Sequence, residues 1–168
     1  VNNSKKILIV EDDPVHARMT RLLVERYGYK PTVVGSLTAA SNLQDRDWEL
    51  VFLDLLLPET THATLDQSVI RIRALLPNTP IIVLSCYLPE LNVFNLIKLG
   101  ADLCLYKPLN PETLLSVIAK AKAINRGDSK PCLAAINRTG LDFSHADKRS
   151  PLSLLLDQAV LECAIALG

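Results

Sequence analysis

Asp54 closes the apolar run Leu50-Val51-Phe52-Leu53, and Pro58 follows it closely. The acidic trio Glu11-Asp12-Asp13 closes a second apolar run, Ile7-Leu8-Ile9-Val10. Ser85 ends a third such run, and Lys107-Pro108 ends a fourth. Acids, a hydroxyl and a lysine, each at the C-terminal end of an apolar strand, are the parts needed to move a phosphoryl group onto a carboxylate. In that chemistry Asp54 is the nucleophile and forms an acyl phosphate. Lys107 is a point-charge partner for phosphate or carboxylate, and Ser85 donates its hydroxyl to a phosphoryl oxygen.

Those residues need a scaffold, and the hydrophobic pattern describes one. Residues 6–10, 32–34, 49–53, 81–84 and 103–106 read as strands, the fourth apolar enough to be buried on both faces. Helices are expected between and after them. Asp13-Pro14 gives an N-cap followed by proline at the first helical position, and Gly28 ends that helix. Val15, Met19, Leu22, Leu23 and Tyr27 form its broad apolar face, while His16 points outward. Residues 37–43 suggest a weak helix, and residues 66–76 a helix stopped by Pro77. Residues 89–99 suggest another, ended by Gly100. Asn110-Pro111-Glu112 opens the last, with Leu114, Leu115, Ile118 and Ala121 inward.

Repeated β-α units imply right-handed crossovers and a parallel sheet covered on both sides. The expected fold is α/β and doubly wound: a five-stranded, flavodoxin-like sheet in the order 2-1-3-4-5. In that order strands 1 and 3 are neighbours, so Glu11, Asp12 and Asp54 converge beyond their carboxyl ends. Clustered carboxylates repel unless a hard cation lies among them, and Mg²⁺, an oxygen-seeking ion that keeps several waters, suits that place.

Composition narrows the remaining classes. The chain has 168 residues, 49% of them hydrophobic, with 18 Lys+Arg against 18 Asp+Glu. One ordinary domain with a substantial core is expected, and no global charge argues for nucleic-acid binding. Cys86, Cys104, Cys132 and Cys163 lack the spacing of a zinc site. Cys86 and Cys104 lie in or beside expected buried strands, where a thiol acts as a small apolar filler. No run is long and apolar enough for a membrane span, and the polar N-terminus does not suit a signal peptide. A reducing cytoplasm is the expected compartment.

The motifs together resemble the receiver domain of two-component response regulators. The resemblance rests on Leu8-Ile9-Val10-Glu11-Asp12-Asp13, Phe52-Leu53-Asp54 with Pro58, Leu84-Ser85, and Gly100-Ala101-Asp102 leading to Lys107-Pro108. It spans residues 5–124. It implies Mg²⁺ held by Glu11, Asp12, Asp54 and the backbone carbonyl of Leu56. It also implies phosphorylation of Asp54 by a histidine kinase or histidine phosphotransfer protein, with Ser85 and Lys107 as responding groups. Such a domain is an acceptor, at most a slow catalyst of its own phosphorylation and dephosphorylation, that switches a partner or its own oligomeric state. Leu56 and Tyr87 occupy family positions that tune dephosphorylation, and their bulk implies a long-lived phosphoryl group. The chain departs from the family where Cys104 replaces an aromatic three positions before the lysine, and where His62 replaces a glycine after the acceptor. Those departures keep a second reading open, a receiver-like interaction or dimerisation module that works without phosphate. An aspartate-nucleophile phosphatase is disfavoured, because Leu56 stands where its second aspartate is required. A flavin module is disfavoured by the acidic loop after the first strand.

Residues 125–151 read as a linker that includes His145. Residues 152–168 read as an apolar helix with a narrow polar stripe, suited to dimerisation, to part of a truncated output region, or to packing on its own domain. A homodimer is therefore an expected partner state, and no DNA-binding unit is evident.

Overall fold

A computed structural model describes residues 5–61, 64–86 and 93–125. Five strands, β1 (Lys6–Val10), β2 (Lys30–Val34), β3 (Leu50–Asp54), β4 (Ile81–Ser85) and β5 (Leu103–Tyr106), form one sheet. All are parallel, in the order β2-β1-β3-β4-β5. The helices are α1 (Pro14–Arg26), α2 (Leu37–Asn42), α3 (Asp66–Leu75), α4 (Val93–Lys98) and α5 (Leu114–Asn125), the last preceded by a 3₁₀ turn at Pro111–Thr113. The expected fold class, strand number and strand order are those observed.

Alternation along each strand sends side chains to two separate cores. Leu8, Val10, Val51, Leu53, Val83 and Cys104 pack with α2, α3 and α4 through residues such as Leu37, Val69, Ile72 and Leu96. Ile7, Ile9, Phe52, Ile82, Leu84 and Leu105 pack with α1 and α5 through Val24, Leu114, Val117 and Ile118. Strands β3 and β4 are buried along their whole length, as central strands of a doubly covered sheet must be. Each fully buried Leu, Ile or Phe contributes roughly 1.5–3 kcal/mol, so both layers are firmly held.

Local boundaries follow local chemistry. The Asp13 carboxylate caps α1 by accepting from Val15 N (2.9 Å) and His16 N (2.8 Å). Gly28, at φ 80°, turns the chain out of that helix in the left-handed conformation that glycine adopts at least cost. Strand β2 begins at Lys30, earlier than expected, because an edge strand tolerates Pro31. The expected start of α4 and the linker and apolar helix beyond residue 125 lie outside the described residues, as do His62, Tyr87, Cys132, His145 and Cys163. Among the described residues no helix is long and apolar enough to cross a membrane.

Three expectations about facing are corrected. Val15, Met19 and Leu22 are 62%, 49% and 55% exposed, and α1 instead buries Ala17, Thr20 and Val24. At about 100° per residue the two sets lie on opposite sides of the helix, and the side with the small residues is the one that can approach the sheet. Leu23 and Tyr27, between those sides, are partly buried. On α5, Leu115 is exposed and Val117 takes its inward place, since positions 114, 117, 118 and 121 share one stripe. Cys86 is exposed rather than a core filler, because it falls just past the last paired residue of β4. Cys104 is buried in the core, as expected.

The edge of the sheet where the strands begin is closed by side chains. Arg73 on α3 donates to the carbonyl of Gly100 and to those of Leu76, Pro77 and Thr79, and pairs with Asp102 Oδ2 at 2.8 Å. Asp102 Oδ2 also accepts from Ile81 N, the first residue of β4. Gly100 has φ 117°, and a Cβ there would stand 2.8 Å from Arg73 Cγ, so only glycine permits this approach. Lys6 pairs with Asp45 and Lys122 with Glu49 at the same end.

Candidate functional site

The opposite end of the sheet carries the residues expected to do chemistry. Glu11 directly follows β1, and its N–H donates to Val34 O of β2 (2.9 Å), which prolongs the ladder and buries the residue. Asp12 is exposed and Asp13 serves α1 as described. Asp54 is the last residue of β3 and is buried; its Oδ1 accepts from Leu55 N at 2.8 Å. Ser85 ends β4, buried, and its carbonyl accepts from Lys107 N at 3.1 Å. Lys107 follows β5, and the Lys107-Pro108 peptide is cis.

These placements bring the charges together. Lys107 Nζ lies 2.5 Å from Glu11 Oε2 and 3.0 Å from Asp54 Oδ2. All three side chains are nearly buried, so the attraction is weakly screened. Oxygens of Glu11, Asp12 and Asp54 lie within 4.8 Å of one another. Burial raises the Glu11 carboxyl above its ordinary 4.5, with Asp54's charge adding to this and the Lys107 ammonium opposing it. Burial disfavours the charge on Lys107, but Glu11 and Asp54 outweigh it and hold the pKa above 10.5. Burial acts on both groups, and the Lys107 ammonium is shared between two buried carboxylates, Glu11 and Asp54, with Asp12 close by. Hard oxygen donors with an excess of negative charge fit a hard divalent cation such as Mg²⁺.

The loop after Asp54 is organised by residues that the sequence reading did not single out. Thr60 Oγ1 donates to Leu55 O (2.7 Å) and accepts from Leu57 N (2.9 Å), on either side of half-buried Leu56. The Glu59 carboxylate accepts from Leu37 N (3.4 Å) and Thr38 N (3.1 Å), joining this loop to the first turn of α2. Burial works against the Glu59 charge, but those backbone donors win and lower its pKa below 4.5. The threonines had no signal beyond their small polar character, because which carbonyl a hydroxyl reaches depends on the turn.

Beside the site runs a surface whose residues the sequence pattern had turned inward. The exposed apolar stripe Val15, Met19 and Leu22 borders a cavity of about 360 Å³ lined by His16, Met19, Leu23, Arg26, Lys107 and Pro108. Lys107 thus joins the carboxylate cluster to an apolar surface. Cys104 fills the core beneath β5, and burial pushes its thiol up to about 12.

Residues 7–119 match the family model described as the response regulator receiver domain. The DNA-binding response regulator MtrA of Mycolicibacterium smegmatis is 30% identical over 132 residues, 76% of this chain and 54% of that protein. A receiver domain of the sensor histidine kinase PA1611 from Pseudomonas aeruginosa, solved with magnesium coordinated in the active site cleft, superposes with a TM-score of 0.60 at 24% identity. That match covers 70% of this chain and 97% of the other. A Burkholderia pseudomallei response regulator with a phosphorylated aspartic acid and a calcium ion gives a TM-score of 0.56 at 23% identity, covering 74% and 72% of the two chains. The chain spans about half the length, or less, of curated relatives such as MtrA and the transcription factor SKN7 of Candida albicans.

Proposed function

This chain belongs to the response regulator receiver domain family, and we propose that it accepts a phosphoryl group on Asp54 and passes the signal to a partner or to its own assembly state. The observation that carries this reading is the buried Asp54–Lys107–Glu11 arrangement, with Asp12 completing a carboxylate cluster within 4.8 Å. Glu11, Asp12, Asp54 and the Leu56 carbonyl would hold Mg²⁺. When bound, that ion neutralises the cluster and the incoming phosphoryl charge.

The chain's own residues do the rest. Asp54 offers Oδ2, the oxygen that faces Lys107, as nucleophile, while Oδ1 stays on Leu55 N. The new bond joins the carboxylate oxygen to phosphorus, and the phosphorus–nitrogen bond to a donor histidine breaks. The electron pair leaves with the imidazole, which keeps one ring proton and departs neutral. Lys107 then pairs with the acyl phosphate, and the Ser85 hydroxyl donates to a phosphoryl oxygen. The product is a signalling state.

The donor would be a histidine kinase or histidine phosphotransfer protein, a helical surface carrying the phosphohistidine. The stripe Val15, Met19 and Leu22 with its adjoining cavity supports this, because it sets an apolar docking surface next to Lys107. A cytoplasmic location belongs to the same reading. One observation favours the phosphate-independent alternative: Cys104 is packed into the core where the family pattern has an aromatic that could move.

Incubation with Mg²⁺ and acetyl phosphate, or with beryllofluoride, decides between them. An added phosphoryl mass on the wild type, absent in Asp54→Asn, and beryllofluoride-induced shifts at Ser85 support phosphorylation. Identical spectra with and without beryllofluoride, and no mass gain, would leave the interaction module as the function.

A further inference from the structure

Thr60 is not one of the clustered carboxylates, yet its hydroxyl brackets Leu56, whose carbonyl the proposed function gives to the metal. The hydroxyl donates to Leu55 O at 2.7 Å and accepts from Leu57 N at 2.9 Å, and Leu57 O lies 2.9 Å away on the same oxygen. The Thr60 N–H also donates to Leu57 O at 2.9 Å, so the loop folds back on this one side chain. The Leu56 carbonyl and the Leu57 N–H belong to one peptide unit, which is trans. In a planar trans unit these groups point to opposite sides. Fixing the Leu57 N–H on Thr60 therefore turns the Leu56 carbonyl away from Thr60. The bond to Leu55 O fixes the preceding peptide as well, and Asp54 Oδ1 holds the Leu55 N–H. Every peptide from Asp54 to Leu57 thus carries an external constraint.

We propose that Thr60 is a positioning residue of the metal subsite, setting the orientation of the carbonyl that Leu56 gives to a divalent cation beside Glu11, Asp12 and Asp54. The inference rests on the reading of Leu56 O as a ligand and assigns the cause of its aim. A hydroxyl suits the task because one oxygen donates and accepts at once. Glu59, the next residue back, steadies the same loop from α2. Serine keeps both bonds; valine keeps the shape and loses both.

The test uses Mn²⁺ as the probe, with binding read by electron paramagnetic resonance on wild type, Thr60→Val and Thr60→Ser. Thr60→Val is expected to bind roughly tenfold more weakly, in the range typical of groups that orient metal ligands, and Thr60→Ser within about twofold of wild type. A second measurement needs no variant: the carbonyl ¹³C resonance of Leu56 in labelled wild type shifts on saturation with Mg²⁺. A folded Thr60→Val that binds Mn²⁺ as tightly as wild type overturns the proposal, whatever its melting temperature does. So does a Leu56 carbonyl that stays in place at saturating Mg²⁺. If Mn²⁺ affinity depends on Thr60 but Asp54 takes no phosphoryl group, the positioning role stands and the functional reading falls.

Discussion

Replacing Lys107 by methionine removes the ammonium that, alone among the described residues, pairs with Glu11 and Asp54, while keeping most of the side-chain volume. The side chains of the lysine and both carboxylates are 4–7% exposed, so water cannot take over its role. Breaking a buried pair by deleting one partner costs about 3–5 kcal/mol, because the charge left behind is uncompensated. Glu11 can limit that loss by taking up a proton, since burial already lifts its pKa. The expected cost is therefore near the lower bound, about 3 kcal/mol in the absence of divalent ions. With a slope of roughly 1.5 kcal/mol/M, the urea midpoint falls by roughly 2 M. Trp48 is the single tryptophan and is buried, so its fluorescence reports the transition. Added Mg²⁺ returns stability by mass action, about 2.7 kcal/mol at a hundredfold excess over its dissociation constant. The gain per added Mg²⁺ is expected to be larger in Lys107→Met, where no ammonium competes for Glu11 and Asp54. A midpoint in EDTA indistinguishable from wild type would refute the argument, as would a Mg²⁺ response no greater than that of the wild type.

Leu22→Glu on the exposed stripe of α1 is expected to slow phosphotransfer from a histidine donor protein by roughly tenfold, the scale of one interface anchor, with the acetyl phosphate rate unchanged. Equal losses with both donors would place Leu22 in the chemistry and not at a docking surface. Cys104, with its thiol at about 12, is expected to be the slower of the two described cysteines to alkylate, since at neutral to mildly basic pH roughly one thiol in ten thousand or fewer is ionised. Mass spectrometry after a timed pulse of iodoacetamide reads this directly, and Cys104 labelling ahead of Cys86 would contradict the buried placement. Glu59 has its pKa lowered in the folded state, so its hold on α2 is complete above 4.5 and is lost as pH falls through the depressed folded value. The amide resonances of Leu37 and Thr38 should titrate below 4.5 in wild type and stay flat in Glu59→Gln.

The sheet was legible because its central strands are buried on both faces and so read as unbroken apolar runs. The approach of Asp54, Glu11, Asp12, Ser85 and Lys107 to one edge followed from their positions at strand ends, once the order was known. Periodicity was less informative about α1. It identified Val15, Met19 and Leu22 as one apolar face, but it carried no signal for which face the sheet would take. The choice fell to Ala17 and Thr20, whose small side chains allow close packing. Cys86 was misplaced for a related reason: one residue past the end of a strand is the distance between core and solvent. Thr60 was invisible because its partners are backbone atoms of a turn, and a turn's shape is not written in the identity of its hydroxyl.

Arg73 closes the far edge of the sheet with bonds to three successive pieces of chain: the end of α3, the entry to β4 and the turn into β5. Those bonds involve no group of the carboxylate cluster and are indifferent to its charge. The molecule therefore has a base clamped independently of the charge at its rim, like a fan held at its rivet. Were α3 or α4 to turn about that rivet, the distance moved would be largest at the ends nearest Asp54, farthest from Arg73. Gly100 sets the tightness of the rivet, because any side chain there would wedge Arg73 out of its socket.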